Sequence, residues 1–259
     1  MSKWAIVTGA SSGIGSAFAH LLAREKVNLV LVARRQERLE ALQAQLVKDD
    51  SIEVTVHVAD LTHPEAPEKL LQSLEQPIDI LINNAGFGKA GKAVTVSTSE
   101  QLQMIDLNVR ALTALTLAFA PAMLERGQGT ILNVGSIVGF LSVPYMAVYA
   151  ATKAYVMSFS EAMDHETRIQ GVRVKVLCPG STESEFYAVA RSGQENVERP
   201  KAVMMSAEQV ARIGMKMIHN SSTTKVTGFG NSVVSFIPRL LPRRMMTAIC
   251  ARFTPAAQN

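Results

Sequence analysis

Short apolar runs alternate along the chain with longer stretches of helical periodicity. Runs rich in Val, Ile and Leu predict six strands, at 4–7, 28–32, 52–58, 78–82, 130–134 and 172–177. Stretches with helical spacing follow the first five strands, near 14–26, 35–48, 64–75, 99–126 and 147–170. Strands that are apolar on both faces and alternate with helices are typical of a parallel sheet covered on both sides. The pattern therefore predicts a single-domain α/β fold over 1–259, a doubly wound parallel sheet with helices on both faces.

Two later segments depart from this pattern. Residues 183–205 break the periodicity and are rich in polar and charged side chains, which predicts either a surface loop or a flap over a substrate. Residues 229–259 form a C-terminal extension, in which Pro242 suits the start of a helix. Apolar residues recur there every four positions, at Leu241, Met245, Ile249 and Phe253. This stripe could pack on the chain's own core, across a homodimer, or on anionic lipid.

Composition adds one point about charge. With 259 residues, of which 47% are hydrophobic, the chain can bury the core of one domain. The net charge of +4 suits a weakly basic protein and calls for no nucleic-acid partner. The basic excess is uneven, however, because no acidic residue follows Glu208. The last 51 residues instead contain seven basic ones, Arg212, Lys216, Lys225, Arg239, Arg243, Arg244 and Arg252.

Cysteine and histidine spacing predicts no metal site. Cys178 and Cys250 lie far apart, and the five histidines form no ligand-like group. Two unpaired cysteines fit a reducing cytoplasm. The first apolar run begins at Trp4, which leaves no room for a cleavable signal, and no stretch reaches the roughly 20 apolar residues of a membrane span. We expect a cytoplasmic protein, with peripheral contact at a membrane through the basic C-terminal segment as an alternative.

A glycine-rich turn follows the first strand. The sequence Thr8-Gly9-Ala10-Ser11-Ser12-Gly13-Ile14-Gly15 joins that strand to the first helix, where glycines let a diphosphate approach the backbone. Its Gly-x-x-x-Gly-x-Gly spacing departs from the Gly-x-Gly-x-x-Gly fingerprint but keeps the strand–turn–helix context. An ordinary glycine-rich turn is the alternative. We interpret the turn as a dinucleotide-binding loop formed by Gly9, Ser11, Ser12, Gly13, Ile14 and Gly15.

The end of the second strand predicts which dinucleotide binds. An acidic residue is expected there in NAD-binding folds, to bind the ribose hydroxyls. This chain has Ala33-Arg34-Arg35 instead. Guanidinium groups are bidentate donors suited to a 2′-phosphate, so Arg34 and Arg35 predict NADP(H) as the cofactor. The alternative is that both arginines open the second helix on its solvent side.

Four polar residues form a candidate reacting centre. Tyr149 and Lys153 are four residues apart and share one face of a helix, and a neighbouring cation lowers the pKa of a phenol. Ser136 follows the strand at 130–134, at the carboxyl end where open α/β sheets bind ligands, and could donate to a substrate oxygen. Asn108 lies in an apolar helix, where it satisfies a buried backbone group, holds a water beside Lys153, or does both.

Taken together, the motifs over residues 3–182 resemble the short-chain dehydrogenases/reductases. Besides the turn, Asn108, Ser136, Tyr149 and Lys153, the match includes Asp60-Leu61, Asn83-Asn84-Ala85-Gly86 and Pro179-Gly180-Ser181-Thr182. The resemblance implies a Rossmann fold in which Asp60 bonds the adenine and Asn83 to Gly86 line the cofactor and steady the sheet. It also implies that Thr182 holds the nicotinamide amide and Lys153 the nicotinamide ribose. The cofactor-binding residues so implied are Asp60, Leu61, Asn83, Ala85, Gly86, Tyr149, Lys153, Pro179, Gly180 and Thr182.

The function expected from this resemblance is NADP(H)-dependent interconversion of a carbonyl compound and an alcohol. Ser136 would hold the oxygen, Tyr149 would transfer the proton, and Asn108 would connect a water relay. The alternatives are a dinucleotide-binding regulator without turnover and a lipid-associated protein of the membrane surface. A hydrophobic substrate is indicated by apolar residues of the flap and tail, Phe186, Tyr187, Met204, Met205, Phe229, Phe236 and Ile237. The extension after residue 228 puts the compact tetramer of many relatives in doubt, and we expect a homodimer.

Overall fold

A seven-stranded parallel sheet forms the centre of the computed structural model, which describes residues 2–183, 185 and 204–254. The strand order is β3-β2-β1-β4-β5-β6-β9, and every neighbouring pair is parallel. Its strands are β1 (Trp4–Thr8), β2 (Asn28–Ala33), β3 (Val54–Val58), β4 (Ile80–Asn83), β5 (Gly129–Val134), β6 (Val172–Cys178) and β9 (Thr224–Val226). Two short strands, β7 (Thr182–Glu183) and β8 (Met205–Ser206), pair separately. The predicted doubly wound parallel sheet is confirmed.

Helices connect the strands and cover the sheet. Their bounds are α1 (Gly13–Arg24), α2 (Gln36–Asp50), α3 (Ala66–Gln72), α4 (Thr98–Ile105), α5 (Leu112–Glu125), α6 (Ala147–Thr167), α7 (Ala207–Ile218), α8 (Phe229–Phe236) and α9 (Arg243–Phe253). A π-helical segment, Asp106–Ala111, joins α4 to α5. The five helices expected from periodicity are present, whereas α7, α8 and the short strands β7, β8 and β9 were not among the predicted elements.

Alternate side chains of the strands feed two apolar layers. In β1, Ala5 and Val7 belong to a cluster with Phe18 of α1 and Val210 of α7, while Ile6 belongs to a second cluster with α3 and α5. Each fully buried aliphatic or aromatic side chain contributes roughly 1.5–3 kcal/mol. Helices therefore pack on both faces of the sheet, which leaves its carboxyl edge as the place where loops converge.

The continuous helix Thr98–Glu125 has the length and hydropathy of a membrane span, which corrects the expectation that no stretch would qualify. Its residues Leu115, Phe119 and Met123 are buried in the core beside the sheet. Asp106 and Arg110 form an ion pair of 2.9 Å within the same helix. This packing makes it a core helix of the domain.

The C-terminal extension forms α8 and α9. Helix α9 begins directly after Pro242, but Met245 and Ile249 of the predicted stripe are exposed, and the neighbouring Met246 is buried instead. Packing of the stripe on the chain's own core is therefore wrong for these two residues. The side chain of Phe253 and most of the predicted flap, residues 184 and 186–203, lie outside the described residues.

A buried carboxylate ties α6 to the far edge of the sheet. Asp164 accepts hydrogen bonds from Arg173 Nε at 2.8 Å, from Val174 N at 3.0 Å and from Thr223 Oγ1 at 2.6 Å. Burial opposes ionisation of this carboxyl group, but the hydrogen bonds and the Arg173 charge outweigh it and lower the pKa of Asp164. One side chain thus holds α6, β6 and the loop that leads into β9.

We expect Asp164→Asn to lower the free energy of unfolding by about 2 kcal/mol at neutral pH, because it weakens a hydrogen-bonded charge pair whose arginine is partly exposed. Chemical denaturation measures this loss, and Glu166→Gln, at an exposed position of α6, serves as the control. A group with a lowered pKa stabilises the fold above its unfolded pKa, and this contribution disappears as pH falls through the lower folded pKa. The difference in the free energy of unfolding between wild type and Asp164→Asn should therefore shrink as the pH falls below 3.8, the ordinary pKa of an Asp carboxyl group. An unchanged unfolding curve at neutral pH would contradict the structural role.

Candidate active site

A cleft of about 730 Å³ opens at the carboxyl ends of the central strands. Open α/β sheets bind ligands at this edge, where the strand order reverses, and here the reversal lies between β1 and β4. The structure places most of the predicted site residues around the cleft: Gly9, Ser11, Ser12, Gly13, Ile14, Arg34, Arg35, Asp60, Leu61, Ala85, Gly86, Ser136, Tyr149, Lys153, Pro179, Gly180 and Thr182. Segments far apart in sequence therefore meet in one place.

Three predicted residues do not line the cleft: Gly15, Asn83 and Asn108. A Cβ atom at Gly15 would clash with the carbonyl oxygen of Gly9, so Gly15 allows α1 to pack closely on the turn. The Asn83 amide nitrogen donates to Asn133 Oδ1 at 2.9 Å inside the core. Gly15 and Asn83 were predicted to contact the cofactor, and the structure corrects this: both residues support the cleft from behind. The neighbouring Asn84 lines the cleft instead, and its amide holds the turn through Thr8 O at 3.0 Å.

The glycine-rich turn has the properties of an anion site. Gly9 and Gly13 adopt φ values of +64° and +55°, a region that favours glycine. Helix α1 starts at Gly13, contains no acidic residue in its first turn, and receives no side-chain cap from Ser12. The first N–H groups of a helix have no partner within it and carry partial positive charge. The turn therefore fits a diphosphate.

Arg35 lies across this turn. Its Nη2 donates to Ser11 Oγ at 3.0 Å and to Ser12 Oγ at 2.9 Å. Its Nη1 donates to Glu185 Oε2 at 2.7 Å, and the other oxygen of Glu185 accepts from Arg38 at 2.6 Å. The hydrogen bonds from Arg38 and Arg35 lower the pKa of Glu185 to about 2. Sequence reasoning missed Glu185, because no local pattern relates it to arginines about 150 positions earlier.

Arg34 points to the neighbouring acidic residue. Its Nη1 lies 3.7 Å from Asp60 Oδ2, and Asp60 Oδ1 accepts from Thr62 N at 2.9 Å. Burial opposes ionisation of Asp60, but the Thr62 hydrogen bonds and the Arg34 charge outweigh it and lower its pKa. A charged acceptor and an exposed guanidinium therefore stand side by side at this end of the cleft.

Tyr149 and Lys153 are both buried on α6, and Ser136 follows β5 at the wall of the cleft. The Lys153 ammonium donates to Val134 O at 2.7 Å and lies 5.8 Å from the centre of the Tyr149 ring. Burial lowers the pKa of Lys153 to about 8. The amine still remains largely protonated at pH 7, so it places a cation next to the phenol.

Asn108 lies behind this pair, in the π-helical segment between α4 and α5. Its amide nitrogen donates to Phe87 O at 2.9 Å, and its amide oxygen accepts from Phe87 N at 3.1 Å. A Cβ atom at Gly86 would lie 2.9 Å from Asn108 Oδ1 and 3.7 Å from Lys153 Nζ. Asn108 thus satisfies both backbone groups of Phe87, and the glycine lets Asn108 and Lys153 approach the same point. π-Helical segments are frequent at functional sites.

The apolar lining of the cleft differs from the expected one. Phe87, Leu107, Ile137, Val138 and Met146 contribute to its walls, together with an ion pair of 2.7 Å between Lys89 and Glu100. Of the aromatic residues expected to form an apolar pocket, Phe229 and Phe236 lie exposed on α8 and do not line the cleft, which corrects that expectation. Phe186 and Tyr187 fall outside the described residues.

Comparison with known proteins yields one family. A family model described as short chain dehydrogenase matches residues 3–195. A very-long-chain 3-oxoacyl-CoA reductase of Mus musculus is 28% identical over 267 residues, covering 100% of this chain and 82% of that protein.

Solved structures agree with this match. A short-chain dehydrogenase from Sphingobium yanoikuyae in complex with NADPH superimposes with a TM-score of 0.81 and 33% identity, over 88% of each chain. A short chain dehydrogenase/reductase from Burkholderia phymatum in complex with NAD has a TM-score of 0.81 and 25% identity, over 93% of this chain and 96% of that one. Because the family model spans most of the chain and the fold agrees, the protein belongs to the short-chain dehydrogenase family.

Proposed function

We propose that this protein is an NADP(H)-dependent oxidoreductase that interconverts a hydrophobic ketone or aldehyde and the corresponding alcohol. One observation carries the proposal: the buried Lys153 ammonium lies beside the Tyr149 ring in the cleft that also contains Ser136 and the anion-binding turn. A reacting oxygen and a dinucleotide can therefore occupy the same cleft.

The residues of the cleft divide the reaction between them. In the direction of reduction, the Ser136 hydroxyl donates to the carbonyl oxygen, and Tyr149 gives its phenolic proton to that oxygen. The Lys153 ammonium stabilises the phenolate that remains, and general acid catalysis of this kind contributes about 10²- to 10⁴-fold. In this proposal Asn108, which lies behind the pair, supports a water that returns the proton. A bound nicotinamide dinucleotide supplies the hydride.

The choice of NADP(H) rests on charge at the end of β2. Ala33 offers no carboxylate to ribose hydroxyls, while Arg34 and Arg35 both line the cleft. Arg35 is already held on the serines of the phosphate turn, so a 2′-phosphate bound there would take the place of the Glu185 carboxylate. Charge-assisted bonds from guanidinium to phosphate are strong and often bidentate. One structural relative was solved with NADPH and another with NAD, so the argument depends on these residues.

The substrate class is proposed from the lining of the cleft. Phe87, Leu107, Val138 and Met146 favour an apolar carbonyl compound. The mouse relative is named for reduction of very-long-chain 3-oxoacyl-CoA, which is consistent with an acyl or similarly hydrophobic ketone. We expect NADPH oxidation to rise across a series of ketones and aldehydes of increasing hydrophobicity. If NADPH binds but no compound in the series is turned over, the chain is better described as a dinucleotide-binding regulator.

We predict that Tyr149→Phe lowers kcat by at least about 100-fold and leaves NADPH affinity within about twofold, because only the proton donor is removed. Stopped-flow reduction and NADPH fluorescence titration measure the two effects. Tyr145→Phe is the matched control, since Tyr145 lies two residues before α6 and does not line the cleft. A Tyr149→Phe enzyme with more than about a tenth of the wild-type rate would rule out this role.

We predict a preference for NADP(H) over NAD(H) that falls by about 10- to 150-fold in Arg35→Ala or Arg34→Ala, the equivalent of roughly 1.5–3 kcal/mol for a bond to a charged group. Titration of each variant with both dinucleotides measures it. Lys48→Ala removes an exposed charge from α2 outside the cleft and should change nothing.

Glu185→Gln should move the preference the other way, because it removes the carboxylate that pairs with Arg35 and Arg38. The variant should bind NADP⁺ more tightly and NAD⁺ unchanged. A wild-type protein that favours NAD(H) would overturn the proposed cofactor, whatever the variants do.

A further inference from the structure

Helix α8 turns its apolar side to solvent. Phe229, Val233 and Phe236 share one side of the helix by their spacing, and these residues are 87%, 49% and 52% exposed. Amphipathic helices of soluble domains normally bury such a stripe. Helix α8 therefore exposes to solvent the side that such a helix normally buries.

Polar contacts on the opposite side fix this orientation. The Asn231 amide nitrogen donates to Thr227 O at 2.7 Å and fills the space beside Gly180, where any Cβ would clash with it. Ser235 is buried, and its hydroxyl donates to Ser232 O at 2.8 Å. Turning the apolar stripe inward would remove Asn231 from Gly180 and expose the buried Ser235.

The exposed apolar side chains continue beyond α8. Leu240 is 69% exposed, and Met245 and Ile249, one turn apart on α9, are 51% and 37% exposed. Met246 of α9 is buried. We call the following set of exposed residues, which follow one another along the chain from α8 to α9, the C-terminal surface: the apolar residues Phe229, Val233, Phe236, Leu240, Met245 and Ile249, with the arginines Arg239, Arg243, Arg244 and Arg252.

The charge of this surface is of one sign. The guanidinium carbon of Arg239 lies 5.7 Å from the centre of the Phe236 ring, so charge and apolar area are adjacent. Within the described residues, none of the four arginines forms an ion pair. No acidic residue follows Glu208 in the sequence.

We propose that the C-terminal surface binds the surface of an anionic lipid bilayer. Large apolar side chains flanked by arginines are the features of an interfacial helix, whose apolar side enters the boundary between headgroups and acyl chains. The arginines would meet lipid phosphates. A second copy of the chain is a poorer occupant, because a twofold contact sets the same surface against itself and would oppose arginines without an acid between them.

The location of this surface relates it to the cleft. Asn231 of α8 packs against Gly180, which lines the cleft. Bilayer contact at α8 therefore brings the cleft close to carbonyl compounds dissolved in the lipid. This extension rests on the proposed reductase function, whereas the docking does not.

Co-sedimentation with vesicles tests the docking without cofactor or turnover. We expect the full chain to sediment with vesicles of phosphatidylcholine and phosphatidylglycerol at low salt, and not with vesicles of pure phosphatidylcholine. Sedimentation should weaken at about 0.5 M salt, because salt screens the attraction between the arginines and the lipid phosphates. Replacement of Arg239, Arg243 and Arg244 by Gln should weaken partitioning on the order of 100-fold, from about fivefold for each charge. Phe229→Ser combined with Phe236→Ser should weaken it by at least about tenfold.

Matched controls carry the same chemical changes elsewhere. Lys3, Lys48 and Lys216 are exposed, and their replacement by Gln removes the same charge. Val94 and Ile169 are 93% and 90% exposed, and their replacement by Ser removes apolar surface outside the C-terminal extension. Thermal unfolding and the oligomeric state, from light scattering, are measured for every protein. All control variants should sediment like the wild type.

Three results would overturn the docking: no sedimentation of the folded wild type with anionic vesicles, equal loss in the control variants, or equal binding to neutral vesicles. If Phe229→Ser with Phe236→Ser converts a dimer to a monomer and leaves vesicle binding intact, the surface is a contact between copies instead. A lack of carbonyl reductase activity would contradict the proposed function alone and leave the docking result standing.

Discussion

The parallel register of β1 with its two neighbours is the constraint on which the site depends. Val7 is aligned with Leu31 of β2 on one side and with Ile82 of β4 on the other. Because all three strands run in one direction, the residues that follow them emerge at the same edge. The phosphate turn therefore lies between the arginines after β2 and the Asn84-Ala85-Gly86 segment after β4. A shift of one residue in either pairing would reverse the side chains of a strand between the two layers of the core. The apolar core thus fixes the geometry of the polar cleft.

Burial of the Lys153 side chain is unfavourable by itself. Removing an ammonium from water costs several kcal/mol unless it has partners, and the lowered pKa reflects that cost. The hydrogen bond to Val134 O compensates in part, and this carbonyl belongs to the last residue of β5. The absence of a side chain at Gly86 leaves space beside the amine. A cation held in this way has little freedom to move, so the phenol beside it meets a fixed charge. The position of that charge is set by the end of one strand and by one helix, both of which belong to the core.

The sequence predicts well what depends on short-range pattern and less well what depends on depth or on distant contacts. The turn, the Tyr149–Lys153 spacing and six strands follow from periodicity and local chemistry, and their residues meet as expected. The depth at which a side chain lies in the structure does not follow from the sequence. Asn83 and Asn84 are adjacent and identical, yet only Asn84 reaches the cleft. Glu185 joins the site through contacts about 150 positions away, for which a single sequence contains no signal. Helix α7 did have one: Ser206 and Gln209 form a capping box, and Val210, Ala211 and Met215 follow at helical spacing. Strand β9, with three residues, is too short for its periodicity to be recognised.

The most instructive failure concerns Phe229 and Phe236, whose apolar character predicts burial in a pocket. Burial of an aromatic side chain is favourable, but it competes with the other contacts that the same helix makes. In α8 the side that faces the domain must satisfy the carbonyl of Thr227 and pass close to Gly180, and a side-chain amide does both. Loss of that hydrogen bond in a buried place would cost about as much as one aromatic ring gains from partial burial. With the polar contact made, the aromatic stripe can point only outward. The aromatic side chains of α8 are therefore exposed because the opposite side of the helix supports the wall of the cleft. A partner that covers the stripe contacts the same helix.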